Sequence, residues 1–396
     1  MAVGLAGRDP SGAEVVVIGG GVHGAAAAFH LAERGVDVLL VERDELAGGP
    51  TGRSSAVCRA YYTNPFLARV ARESLDLLGS FAERMGGRDA GHVITGGLFL
   101  HGPEDVTAVT EAARALTAIG TTTDVLDVAA LSDAFPRFSP DGLGIAAHEH
   151  GAGYADPVAT TVGLAHRARE LGARLRQYTA VTRLEEGRGE RPHRVTLSDG
   201  VVIEAQRILL AAGPWTGPLA RQVGAELLLT VERHVAATFA WGGATAVPHV
   251  FADVTQGYYA KPEASGGFLC GPLTPEPEID DPEAFEQRIL DAEVEHLAAG
   301  IVRRVPDLER IAPRGGWASL YDVSPDWQPV IGEIAPRVFV DAGTSGHGFK
   351  LAPGLGREVA ALVMGSPDPG LSDFAPGRFA AGAPLTAGYG ESRILG

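Results

Sequence analysis

The chain has 396 residues, 45% of them apolar, and a formal charge of −16 at pH 7. A length beyond the ~250–300 residues at which single cores stop growing calls for two packed regions, and so acidic a balance disfavours nucleic acid or an anionic membrane surface, which need a dense basic face. No run approaches the ~20 apolar residues that cross a bilayer, and the glycine-rich opening Met1 to Gly12 lacks a secretory apolar core, so a cytoplasmic protein acting on a small molecule is expected.

Glu14 to Gly19 (EVVVIG) reads as a strand buried on both faces of a parallel sheet. It runs into Gly19, Gly21 and Gly24, a G-x-G-x-x-G turn whose variable positions include Val22 and His23. An alanine-rich helix, Ala25 to Arg34, comes next, then Gly35 as its stop and a second strand, Val36 to Val41, ending at Glu42 and Arg43. In such a βαβ unit the first glycine makes the tight turn, the second lets backbone approach a pyrophosphate, and the third lets helix pack on strand, while the acidic residue accepts hydrogen bonds from a ribose. Strand, helix, second strand and Glu42 together point to a dinucleotide, NAD or FAD.

The next segment separates the two. Leu46 to Tyr62 (LAGGPTGRSSAVCRAYY) is a Gly/Ser/Thr-rich loop and an apolar-basic-aromatic segment where a nicotinamide domain continues with its next strand and helix. Here the chain resembles the D-amino-acid oxidase superfamily of flavoproteins, in particular its sarcosine oxidase and dimethylglycine dehydrogenase branch. The resemblance implies that Thr51, Arg53, Ser54 and Ser55 pass along an FAD and that Arg59 faces the substrate. Further along, Gly153 to Pro157, the amphipathic helix Val158 to Leu171 and Arg174 to Glu185 resemble a return to the flavin domain, with Val181 touching adenine through its backbone. Ile208 to Trp215 (ILLAAGPW) resembles the strand beneath the cofactor, which adds Ala212, Gly213 and Trp215 to the cofactor contacts.

Ser80 to Gly151 and Leu227 to Tyr321 differ in character, with alternating strands, short helices and many Pro/Gly turns. The expected fold is α/β: a Rossmann-type, GR2-like FAD-binding domain (1–79, 152–226 and 324–375) with a discontinuous, antiparallel-sheet α+β substrate domain (80–151 and 227–323). Residues 376–396 are expected as a C-terminal arm, part of a Gly/Pro-rich surface tail from Gly365.

The segments Ser324 to Gly332 (SPDWQPVIG) and Val338 to Lys350 (VFVDAGTSGHGFK) resemble the family's sequence around the isoalloxazine ring, placing Gly346, His347, Gly348, Phe349 and Lys350 against it. Pro353 is expected to start a helix whose positive end faces the ring. With the Lys350 ammonium, that end would stabilise negative charge on reduced flavin. Of the 33 basic residues only Lys261 and Lys350 are lysines, which marks them as places where a compact ammonium is wanted, although for Lys261 chance is the simpler account.

The activity implied is oxidation of the C–N bond of a small amino acid or secondary or N-methyl amine, sarcosine-, proline- or D-amino-acid-like, to an imine by hydride transfer to flavin N5. Arg59 and Lys350 would clamp the substrate carboxylate, Tyr259 and Tyr321 would line the amine pocket, and His347 would either sense the deprotonated amine or pack beneath the ring. No Ser/His/Asp arrangement supports a hydrolase. Two departures from the branch stand out. Ser319 occupies the place of the cysteine that attaches flavin in some sarcosine oxidases, so FAD is expected to be non-covalent. Cys270 loosely matches the lysine that activates dioxygen there, which leaves dioxygen or an electron-transfer acceptor as the oxidant. A flavin-carrying, non-catalytic subunit of a larger amine dehydrogenase complex is the alternative, and oligomeric assembly stays open. Cys58 and Cys270 fit neither a disulfide framework nor a metal-ligand spacing and read as small buried residues.

Overall fold

The computed structural model describes residues 12–263 and 265–386. The opening Met1 to Gly12 lies, but for Gly12, outside the described residues, as do residues 387–396 of the expected arm.

Two eight-stranded sheets organise the chain. The first runs Val181–Glu185, His193–Leu197, Val202–Leu210, Gly12–Ile18, Val38–Val41, Arg174–Arg176, with Val338–Ala342 also paired to Val202–Leu210 and Val330–Ala335 beyond it. Gly12–Ile18 pairs parallel with both of its neighbours. Its burial explains its composition: Val15 and Val17 enter the core on one face, Val16 and Ile18 the core on the other, so no polar alternation is tolerated. The helix Val22–Glu33 covers the first face with Ala25 to Ala28 fully buried. It packs against Gly348–Val363 so closely that a Cβ on Gly356 would lie 2.7 Å from that of Ala26, which is why alanine and glycine meet at this contact.

The second sheet runs Ala312–Val323, Thr230–Ala240, Gly267–Pro272, Tyr258–Glu263, Val250–Asp253, Gly97–His101, Ile145–Glu149, Thr123–Asp127. Every pair is antiparallel except Val250–Asp253 with Gly97–His101. That parallel seam joins the strands of 97–149 to those of 230–323, where no hairpin links the two sets and so none forces an antiparallel pairing.

Two local expectations are corrected. Pro353 does not begin the last long helix, which starts at Gly348 and holds Pro353 inside it, so the helix N-terminus lies within the S-G-H-G loop itself. The segment from Gly365 is not a surface tail as far as it is described. Leu371 and Phe374 are buried, and the Arg378 guanidinium pairs with Asp326 at 2.7 Å with both side chains buried. A pattern rich in Gly and Pro marks irregular backbone and is silent about docking. No helix among the described residues is long and apolar enough to cross a membrane.

Candidate active site

A cavity of about 450 Å³ lies where the two sheets meet. At one end its wall is backbone. Gly19 has φ +113°, and a Cβ there would stand 2.3 Å from the Ala211 carbonyl oxygen; one on Gly24 would stand 1.9 Å from the Gly19 carbonyl oxygen. Neither position has room for a side chain. Gly21 is the N-cap of Val22–Glu33 and offers no capping group, so the helix N-terminus opens on the cavity beside the Thr51 hydroxyl, which accepts from the Val22 N–H at 3.2 Å. The helix Gly348–Val363 also begins at the cavity without a side-chain cap. Two helix N-termini whose N-cap residues supply no capping side chain, and a glycine cradle, suit an anionic dinucleotide, and the residues present therefore fit FAD.

Of the residues expected at the cofactor, Gly19, Gly21, Val22, His23, Glu42, Arg43, Thr51, Arg53, Ser54, Ser55, Val181, Ala212, Gly213, Trp215, Gly346, Gly348, Phe349 and Lys350 line this cavity. Gly24 serves only the packing of helix on turn. The Glu42 carboxylate is held by backbone, accepting from the Gly20 N–H at 2.5 Å and the Asp44 N–H at 2.8 Å, which fixes it at the cavity edge. At the same edge the Arg43 guanidinium sits 4.1 Å from the Trp215 ring centroid, and Glu283 binds both, accepting from the Trp215 indole at 2.6 Å.

His23 contacts Asp341 through Nδ1 at 2.9 Å and the Gly348 carbonyl through Nε2 at 3.0 Å. Both partners are acceptors, so the ring satisfies both only as an imidazolium. Burial opposes that charge, but the Asp341 carboxylate, its hydrogen bond and the nearby Asp322 outweigh it and hold the pKa above the usual histidine value. The cation therefore stands between the two helix N-termini.

At the other end the wall is made of side chains. Arg59, Lys350, Tyr259 and Tyr321 line a pocket of about 40 Å³ with Phe99 and Gly346, and Tyr259, Tyr321, Gly346 and Lys350 also line the large cavity, so the two are contiguous. Arg59 is 3% exposed, its guanidinium 4.5 Å from the Tyr62 ring centroid and bonded to the Tyr61 carbonyl. Lys350, in the first turn of its helix, donates to the Gly346 carbonyl at 3.3 Å. Burial, and then the Arg59 charge, push its pKa well below the ordinary lysine range. Ser55 hydrogen-bonds Tyr259, and burial raises both tyrosines, Tyr321 to about 12, so both remain phenols. Gly346 is needed here, since at φ +81° a Cβ would fall 2.6 Å from the Tyr321 ring.

His347 does not join them. It lines neither pocket, is fully buried and meets the Tyr62 hydroxyl through Nδ1 at 3.1 Å. At the N-cap of its helix the ring points into the core and not into the substrate pocket. Lys261 also lies outside both pockets, paired with Glu263 at 2.8 Å and 4.5 Å from the Tyr154 ring. Cys58 and Cys270 are buried thiols, and Cys270 lines neither pocket. Ser319 does line the large cavity.

Sequence reasoning misses two buried groups. His234 lines the large cavity, stacks on Tyr321 with ring centroids 3.9 Å apart, and bonds Glu232 through Nε2 at 2.9 Å. The signal is the strand period of two, which sets Glu232 and His234 on one face. Glu149, fully buried, accepts from the Ala60 N–H at 2.8 Å beside Arg59, and burial raises its pKa to about 7 against the pull of that bond and that charge. Nothing local marks it.

Comparison with known proteins agrees with this geometry. Residues 14–362 match the profile of the family described as FAD dependent oxidoreductase (DAO). The chain is similar to 4-methylaminobutanoate oxidase (formaldehyde-forming) of Paenarthrobacter nicotinovorans, 28% identical over 389 residues that cover 92% of this chain and 45% of that one. It is also similar to monomeric sarcosine oxidase of Streptomyces avermitilis, 28% identical over 389 residues covering 93% and 98%. The chain spans less than half the length, 42% to 46%, of five curated relatives it matches, the first of these two among them. Among solved structures, L-proline dehydrogenase from P. horikoshii superposes with a TM-score of 0.84 at 25% identity, over 94% of this chain and 99% of that one.

Proposed function

The chain belongs to the FAD dependent oxidoreductase family, and from that premise we propose that it oxidises the C–N bond of a small secondary amine bearing a carboxylate, an N-methyl or cyclic amino acid, to an imine. The observation that carries this reading is the pairing of two buried cationic side chains, Arg59 and Lys350, on one small pocket contiguous with the cofactor cavity. Two like charges are held together in an apolar place only at a cost. An entering carboxylate offsets that cost, since it pairs with the Arg59 fork and favours the Lys350 ammonium that burial and the Arg59 charge disfavour.

FAD, when bound, supplies a two-electron acceptor for hydride from the carbon beside nitrogen. The chain's own part is orientation: the clamp fixes the carboxylate, while Tyr259 and Tyr321 flank the amine substituent and exclude water. Relatives whose names specify 4-methylaminobutanoate, sarcosine and L-proline support a secondary amine, since each of those compounds carries one together with a carboxylate. The proposal includes non-covalent FAD, with Ser319 at the cavity wall, a division into discontinuous FAD-binding and substrate domains, and a cytoplasmic location.

Anaerobic titration of the yellow protein with a panel of N-methyl and cyclic amino acids tests the activity: at least one bleaches the flavin bands, and bleaching by dithionite alone would overturn it. Acid precipitation is expected to leave the flavin in the supernatant. Reoxidation in air no faster than that of free flavin would assign a dehydrogenase with a separate electron acceptor. A merely flavin-carrying subunit would have no use for the clamp, and catalytic turnover by the isolated chain with an artificial acceptor excludes it.

A further inference from the structure

At the far edge of the second sheet, Asp124, His148 and His150 each offer one donor atom, all within 4.8 Å of one another. The placement comes from the strands. His148 belongs to Ile145–Glu149 and His150 succeeds it directly, so residues two apart share a face, with ring centroids 4.4 Å apart. Asp124, on the edge strand Thr123–Asp127, is the direct cross-strand partner of His148, and its carboxylate already meets His150 Nε2 at 2.7 Å.

The surroundings favour a fixed site. His249 stands edge-on to His148 at 5.8 Å, and Phe135 packs edge-on against both rings. The His249 Nδ1 N–H donates to the Thr95 carbonyl at 2.6 Å. Three of the chain's 12 histidines thus meet at one sheet end, and none of these residues lines the cofactor cavity or its side pocket.

We propose that Asp124, His148 and His150 bind a divalent transition-metal ion of the zinc class, tying the edge strand to its neighbour. Two imidazoles and a carboxylate are the donor set such ions take, with short bonds of ~2.0–2.2 Å and a fourth position for water; Asp124 and His150 are exposed, which leaves that position on the solvent side. Thr123–Asp127 is hydrogen-bonded on one side only, to Ile145–Glu149, so an ion spanning the two strands adds a side-chain tie to the backbone ladder that holds this edge.

The test uses untagged holoprotein, purified without a metal-affinity step and treated with EDTA, then titrated with zinc chloride by calorimetry. One ion per chain at micromolar or tighter Kd is expected, with a raised Tm and an unchanged flavin spectrum. His150→Asn and Asp124→Asn, at exposed positions, should each weaken binding by at least about tenfold. The proposal is overturned if zinc binds only above about 100 μM, too weakly for the raised Tm of a ligand that prefers the native state. Equal affinity and equal Tm shift in a His148→Asn/His150→Asn double variant would overturn it as well, by placing the ion elsewhere.

Discussion

At the Glu42 end of the cavity the chain offers backbone, with Gly19, Gly21, Gly24 and the helix they start all drawn from one short stretch. At the Lys350 end it offers the side chains of Arg59, Tyr259, Tyr321 and Lys350, brought together from positions far apart in the chain. The first end suits what every dinucleotide shares, a pyrophosphate and its charge, and has no room for a side chain at Gly19 or Gly24. The second end, under the function proposed above, recognises one class of substrate, and its charged members are costly to bury unless an anion arrives.

The sharpest way to break the contrast is Gly24→Val. Its Cβ would overlap the Gly19 carbonyl oxygen, an obstruction of backbone that no rotamer relieves. Loss of more than about 4 kcal/mol of stability is expected, seen as protein without flavin absorbance or as insoluble protein.

Next in size is Lys350→Met, which should retain FAD yet lower kcat/KM for carboxylate substrates by roughly 2–4 kcal/mol, about 30- to 1000-fold, while amines lacking a carboxylate change little. Because burial and Arg59 lower the Lys350 pKa, its charge is lost at a pH below the ordinary lysine range. In the parent protein kcat/KM should therefore fall early on the alkaline side, and Lys350→Met should abolish that limb. Equal losses for substrates with and without a carboxylate would remove the clamp.

A smaller effect concerns Glu149 beside Arg59. Its folded pKa of about 7 exceeds the usual carboxyl value of 4.5, so between those values the native state keeps a proton that the unfolded chain has lost. Stability then declines as pH rises from 4.5 to 7, by about 3 kcal/mol, and levels off above. Glu149→Gln should flatten that decline in urea unfolding tracked across the same range.

The smallest effect concerns His347 in the C-terminal loop. His347→Gln should cost about 1 kcal/mol of stability through its bond to Tyr62 and leave the pH profile of kcat/KM in place. A shifted profile would return His347 to the chemistry.

The sequence by itself determined the dinucleotide end, because a strand, a glycine turn and a helix are local features whose spacing survives in one dimension. It also marked Arg59 and Lys350, through their place in SAVCRAYY and SGHGFK and the scarcity of lysine. Tertiary structure alone decided that His347 turns inward while His234 reaches the cavity, that the helix begins at Gly348 with Pro353 inside it, and that the segment from Gly365 docks through Arg378. Those outcomes depend on which neighbour occupies each face, Tyr62 behind His347, Glu232 beside His234 and Asp326 beneath Arg378. Such neighbours come from distant parts of the chain, and packing chooses among them only when the two sheets meet.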